Sequence, residues 1–172
     1  MNGKIIMNLA MSLDGYISKK DGSFDWIKGH NSNLDTKNEY DFDSFVDQMD
    51  VVVMGRNCYD DGFASDYTNK DVYVATNRLL DDYDNVHFIK GDIVSTIYEL
   101  RNSGKNVFLF GGGGLVDHFI KADAIDEYII GVIPVILGEG RRLFLNDNPN
   151  IELKLDGYAL KDGIVIMHYQ KR

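Results

Sequence analysis

The segment Phe108-Leu109-Phe110-Gly111-Gly112-Gly113-Gly114-Leu115-Val116 constrains this chain more than any other stretch. A buried-type strand runs straight into four glycines, and apolar residues at helical spacing (Leu115, Phe119, Ile120) follow. Glycine loses more backbone entropy on folding than any other residue, so such a run suits a place where something must approach the main chain closely. At the carboxyl end of a strand that opens a helix, free N–H groups and the helix dipole suit a phosphate. The plainer alternative, a tight turn, needs only one or two glycines. The segment has no GK[ST] and lacks the last glycine of GxGxxG, so it is not a P-loop.

Two further strand ends carry related chemistry. Val51-Val52-Val53-Met54-Gly55-Arg56-Asn57 ends in glycine before a helix for which Asn57 is a candidate cap. Arg56 can reach a phosphate there with two parallel hydrogen bonds, although a solvated arginine at a helix start is an equally ordinary reading. Val74-Ala75-Thr76-Asn77-Arg78 ends in two short hydrogen-bonding side chains and a cation. Parallel strands ending this way share one sheet edge, where open α/β sheets bind ligands. Together the three segments point to a phosphorylated dinucleotide, and two arginines suit the extra 2′-phosphate of NADP.

The rest of the chain fits such a sheet. Short apolar, β-branched runs predict strands at 4–11, 51–54, 72–75, 86–89, 107–110 and 128–133. Runs at 151–160 and 164–170 flank Lys161-Asp162-Gly163, a hairpin signal. Phe42, Phe45, Val46 and Met49 form a helical stripe within a predicted helix from about Thr36 to Gln48, and Ile93, Ile97 and Leu100 mark another capped by Asp92. Alternating β and α elements predict an α/β fold with a mainly parallel sheet, helices on both faces and an antiparallel C-terminal hairpin. With no linker or repeat, residues 1–172 read as one domain.

Composition narrows the partners. Eighteen basic against 27 acidic residues give a net charge of −9, without a basic stripe, so nucleic acid is not expected as a partner. No apolar run approaches the ~18 residues of a membrane span, and the N-terminus lacks a signal peptide's long apolar region; a cytoplasmic location is expected. The single cysteine, Cys58, cannot form an internal disulfide, and His30, His87, His118 and His168 are too scattered for a zinc motif, so no metal is expected.

The first strand ends Ala10-Met11-Ser12-Leu13-Asp14-Gly15-Tyr16-Ile17, followed by Ser23-Phe24-Asp25-Trp26-Ile27. Asp14-Gly15 reads first as a β-turn in which the aspartate bonds its own backbone. The aromatics Tyr16, Phe24 and Trp26 suit the wall of a pocket for a planar ligand.

In order, AMSLDGYI (10–17), DWI (25–27), VVVMGRNCY (51–59), VATNR (ending at Arg78), FLFGGGGLV (108–116) and DEYIIGVIPVILGEGRRLF (126–144) resemble the dihydrofolate reductase-like superfamily. They are most similar to stand-alone bacterial relatives of the reductase domain in the riboflavin-biosynthesis deaminase-reductase. The resemblance implies a three-layer α/β/α fold, a homodimer and an NADPH-dependent reductase acting on a small planar heterocycle. That heterocycle would be pterin- or folate-like, or a riboflavin-pathway pyrimidine such as 5-amino-6-(5-phosphoribosylamino)uracil. It also implies residue roles. Ala10 and Ile17 would flank the nicotinamide. Gly55, Arg56 and Asn57 would face the pyrophosphate and 2′-phosphate, and Thr76, Asn77 and Arg78 the adenosine end. Gly111, Gly112, Gly113, Gly114 and Leu115 would cradle the pyrophosphate, with a Gly-Gly peptide that is often cis in relatives.

Hydride transfer needs donor and acceptor held face to face with water excluded, and no metal. The acceptor is expected near Phe24 and Trp26. Asn8 and Phe110 stand where pyrimidine-reducing relatives usually carry Lys and Glu, and are the other candidate substrate contacts. Asp35 and Glu39, on one face of the predicted 36–48 helix, are the candidate proton donors; the alternative is that both are solvated first-turn acids. The competing functional expectation is a non-catalytic nucleotide-binding protein that keeps the cofactor cradle.

Overall fold

The computed structural model describes all 172 residues. In chain order the elements are β1 (Ile5–Ser12), β2 (Tyr16–Ser18), α1 (Phe42–Asp47), β3 (Val51–Gly55), α2 (Arg56–Asp60), a 3-10 helix (Phe63–Tyr67), β4 (Asp71–Ala75) and β5 (Val86–Ile89). There follow α3 (Ile93–Asn102), β6 (Val107–Gly111), α4 (Gly113–Lys121), β7 (Glu127–Ile133), β8 (Arg141–Arg142), β9 (Leu153–Lys161) and β10 (Ile164–Lys171). Eight strands form one sheet in the order β5-β4-β3-β6-β1-β7-β10-β9. The pairs from β5 to β7 are parallel, and β10 runs antiparallel to both β7 and β9. β2 and β8 pair separately as a two-stranded antiparallel ribbon.

Strand alternation divides the core into two layers. Ile5, Met7, Val51, Val53, Val107 and Leu109 face α3 and α4, packing with Ile97, Val116 and Phe119. Ile6, Val52, Met54, Val72, Val74 and Phe108 face the opposite way and pack with Phe45 of α1 and with Ala64 and Tyr67 of the 3-10 helix. The central strands are covered on both faces, which is why Val51–Met54 and Val107–Leu109 read as continuous apolar runs. Helices lie on both sides of a mainly parallel sheet that ends in an antiparallel hairpin, the predicted architecture.

Two local readings are corrected and a third is extended. The helix predicted from Thr36 to Gln48 is only Phe42–Asp47, capped by the Asp41 carboxylate, which accepts from the Asp43 N–H. Residues before it are drawn away by the sheet: the Thr36 N–H donates to the Leu160 carbonyl at 3.0 Å, and the Leu160 N–H donates to the Thr36 hydroxyl at 3.0 Å. Asn57 does not cap α2; it lies inside that helix, which begins after Gly55 without a side-chain cap. The β-turn at Asp14-Gly15 forms, closed by the Gly15 N–H on the Ser12 carbonyl at 2.9 Å, but the Asp14 side chain does more than bond within it. Its carboxylate accepts from the Ser12 hydroxyl (2.6 Å) and from the N–H groups of Leu137 (3.1 Å) and Gly138 (2.8 Å), fastening the β1–β2 turn to the segment before β8. Asp92 does cap α3, accepting from the Ser95 N–H at 3.0 Å.

Candidate active site

The carboxyl ends of β1, β3, β4 and β6 open into two adjoining cavities of about 630 and 800 Å³. Both are lined by Gly55, Arg56, Gly114 and Leu115, so they meet as one groove across the sheet edge.

The centre of the groove is backbone. β6 ends at Gly111, whose φ of +117° is a conformation that side chains resist; the Gly111–Gly112 peptide is cis, and α4 starts at Gly113. Gly112 is the N-cap and offers no side chain, so the first N–H groups of α4 have no intrahelical acceptor. A Cβ on Gly113 would collide with the Arg142 carbonyl, whereas a Cβ on Gly114 would project into open space. Gly113 is therefore glycine for packing and Gly114 for access. Gly112, Gly113, Gly114 and Leu115 line the smaller cavity; buried Gly111 does not, and instead packs on Leu9.

Asn57 lines the smaller cavity, whereas the larger one holds the candidates for the adenosine end. Thr76, Asn77 and Arg78 line it together with Arg56, His118 and the start of α3. The Thr76 hydroxyl accepts from the Arg78 N–H at 3.1 Å and shapes the strand end. Arg56 is not free: its guanidinium donates to both oxygens of Asp60, at 3.1 and 2.8 Å, one turn along α2. With the Asp60 side chain 47% exposed, this is a surface pair worth little, and a phosphate can displace it.

The smaller cavity is an aromatic chamber. Asn8 and Ala10 reach it from β1, Phe108 and Phe110 from β6, Phe42 from α1, Phe63 from the 3-10 helix, and Phe24 and Ile27 from the segment after β2. Ring centroids lie 5.5 Å apart for Phe24–Phe63, 5.2 Å for Phe63–Phe110 and 5.6 Å for Phe108–Phe110, the spacing of packed aromatic pairs. Ile17 lines the same cavity and lies 3.7 Å from where a Cβ on Gly112 would be, so Ala10, Ile17 and the glycines meet at the junction of chamber and cradle.

Several predicted residues fall elsewhere. Trp26 is buried, outside the cavity lining, with its indole N–H unpartnered. The turn closed by the Ile27 N–H on the Phe24 carbonyl puts Phe24 and Ile27 at the chamber instead. Asp35 and Glu39 do not reach it, because the helix that would have aimed them there does not extend so far. Asp35 accepts from the Asp162 N–H at 3.0 Å, and Glu39, 70% exposed, pairs with Lys161 at 3.6 Å.

Other groups at the chamber were not anticipated. Cys58 and Asp61 line it from α2 and its end, and Arg141 and Arg142 from β8. Burial pushes the Cys58 thiol up, so it stays protonated and a poor nucleophile. The Arg142 guanidinium stacks on the Tyr16 ring at 4.8 Å and donates to its hydroxyl at 3.2 Å, holding β8 against β2. The only advance sign of β8 was the Arg-Arg pair within GEGRRLF, since two residues are too short for a period-2 pattern.

Sheet order, glycine edge and aromatic chamber together define a dihydrofolate reductase-like α/β domain. The RibD C-terminal domain profile matches residues 3–78 and 66–165, and the chain belongs to that family. It is 35% identical to uncharacterized protein YwjB of Bacillus subtilis (strain 168), over 98% of both chains. Among solved structures, a Shewanella sp. PV-4 protein provisionally named for riboflavin biosynthesis is 29% identical, with a TM-score of 0.82 over 98% of this chain and 99% of that one. The dihydrofolate reductase of Enterococcus faecalis, solved with NADP(H) and RAB-propyl, shares the fold at 13% identity, with a TM-score of 0.70 over 100% of this chain and 98% of that one.

Proposed function

We propose that this protein is an NADPH-dependent reductase of a planar heterocycle, pterin-like or a riboflavin-pathway pyrimidine. One observation carries the reading: a backbone-lined anion cradle and an aromatic chamber meet at Ala10, Ile17 and Gly112. Such a junction is what bringing a dinucleotide's reactive ring onto a flat acceptor requires. The residues fit the cofactor. Gly114 leaves open space beside the groove, the N–H groups opening α4 would hold a diphosphate, and Arg78 and Arg56 would supply cations at the adenosine end.

When bound, NADPH supplies the hydride. The chain's own work is to orient and to exclude water: Ala10 and Ile17 would wall the nicotinamide side, while Phe24, Phe63 and Phe110, packed against one another, would form one apolar wall for the acceptor. Asp61 is the one carboxylate lining the chamber, and it sits at the exposed end of α2. Water is therefore the proton source that this reading favours.

The scarcity of carboxylates also supports a second reading, a nucleotide-binding protein without chemistry. Absorbance at 340 nm with NADPH and a panel of pterins and pyrimidines separates the two. NADPH consumption with any acceptor is expected; tight NADPH binding without consumption on the whole panel would favour the second reading, and no NADPH binding would overturn both.

A further inference from the structure

The chamber floor is set by strand alternation. Ile6, Asn8 and Ala10 of β1 project to one face of the sheet, and Phe108 and Phe110 of the adjacent β6 project to the same face. The polar group on this otherwise apolar floor is the Asn8 carboxamide, which is hydrogen-bonded to the Tyr40 hydroxyl. Tyr40 stands behind Asn8, outside the cavity lining, and packs against the cluster containing Phe45, Val52 and Phe108. Burial pushes its phenol up to about 12, so it is a neutral hydroxyl at ordinary pH.

The Asn8 nitrogen spends one of its two hydrogens on the Tyr40 hydroxyl, which leaves the second N–H as a donor and the carbonyl oxygen as an acceptor for a ligand. The charged side chains lining the chamber come from elsewhere: Arg56 and Asp61 from α2 and its cap, Arg141 and Arg142 from β8. Asp61 and Arg141 also border a shallow recess with Asp21 and Asp60, on the exposed side. A ring that carried a charge onto the floor would find no counter-ion there, and an uncompensated buried charge is costly.

We propose that Asn8 is the specificity-determining residue of the chamber, its carboxamide reading the adjacent N–H and C=O groups of an uncharged lactam edge, and that Tyr40 is the positioning residue that holds that carboxamide in place. The inference rests on the acceptor-chamber reading above and adds which side chain reads the acceptor's edge.

Calorimetry on the full chain, with and without NADPH, tests it with two probes of similar size. Pteridine-2,4-dione is a neutral lactam; 2,4-diaminopteridine takes a ring proton when it faces a carboxylate. The dione is expected to bind about tenfold tighter, the scale of one well-made buried hydrogen bond. Asn8→Asp is expected to reverse that order, with a diaminopteridine gain that fades as pH rises and the ring proton is lost. Tyr40→Phe keeps the ring packing but frees the carboxamide; it is expected to narrow the preference about threefold at unchanged NADPH affinity. Equal affinities, binding of neither probe, a native preference for the diamine, or a folded Asn8→Asp variant that keeps the native order would each overturn the proposal. Should Asn8→Asp fail to fold, an unchanged ratio in Tyr40→Phe overturns it alone. Failure of NADPH itself to bind would instead strike the reductase reading, while the cofactor-free probe titrations would still decide this one.

Discussion

The two ends of the groove are made of different materials. The cradle is main chain: Gly55 at the end of β3, Gly112 after β6, Gly113 and Gly114 opening α4, and the unpaired amides of that helix start. The chamber is side chain: five phenylalanines contributed by four separate elements or segments, with one carboxamide on the floor. A backbone site depends on the absence of side chains and recognises what every phosphate shares. A side-chain site depends on which residues happen to converge, so it is free to drift in specificity while the cradle stays the same.

That contrast can be broken by adding to one end and subtracting from the other. Gly114→Val puts bulk where a Cβ meets open space, so it should cost NADPH affinity about a hundredfold while thermal unfolding stays near that of the native chain. A large drop in melting temperature would instead make Gly114 a packing glycine like Gly113. Phe110→Ala should do the converse, weakening pteridine-2,4-dione about thirtyfold in calorimetry with NADPH binding intact. Equal loss of both ligands would show that the two ends are one site.

Smaller effects sharpen the picture at the adenosine end. Arg78→Ala should weaken NADPH about tenfold and leave NADH unchanged, as the proposed placement of Arg78 against the 2′-phosphate requires. Asp60→Asn releases the Arg56 guanidinium from its ion pair and should strengthen NADPH about threefold, again without effect on NADH. A loss on Asp60→Asn would mean that the pair itself shapes the site.

The smallest effect belongs to the clamp between the β1–β2 turn and the segment before β8. The Ser12 hydroxyl, with the Leu137 and Gly138 N–H groups, lowers the Asp14 carboxyl from 3.8 to about 2. A pKa depressed in the folded state contributes stability above the unfolded value and loses it as pH falls through the folded one. The melting-temperature gap between native and Asp14→Ala chains should therefore be full above pH 3.8 and close toward about pH 2. A constant gap across that window would sink the assignment.

Much of the cradle was legible in the sequence because its signals are local. Valine runs mark strands covered on both faces, Asp92 announces a helix start, and a glycine run between strand and helix needs no tertiary information to interpret. The chamber was legible only in part. Phe24 and Phe110 were anticipated, whereas Phe63, Phe108 and Phe42 reach it by packing that brings distant segments together. Asp35 and Glu39 failed for a specific reason. The stripe Phe42, Phe45, Val46 and Met49 correctly marks a helix, but its periodicity is silent on where the helix starts, and competition from the β9 backbone decides that. Trp26 failed because an aromatic residue in a turn has two sides to go to, and burial took the indole inward.

The bonds between Thr36 and Leu160 have a meaning beyond aligning a loop. β9 is the margin of the sheet, with Leu155 and Tyr158 largely exposed, and an unguarded margin is a template onto which stray chains can zip. By fastening residues 35 and 36 across the end of that strand, together with the His30 N–H on the Asp162 carbonyl, the molecule occupies part of its own stickiest border. The segment that fails to supply an acid to the chamber thus serves as a hem against misassembly.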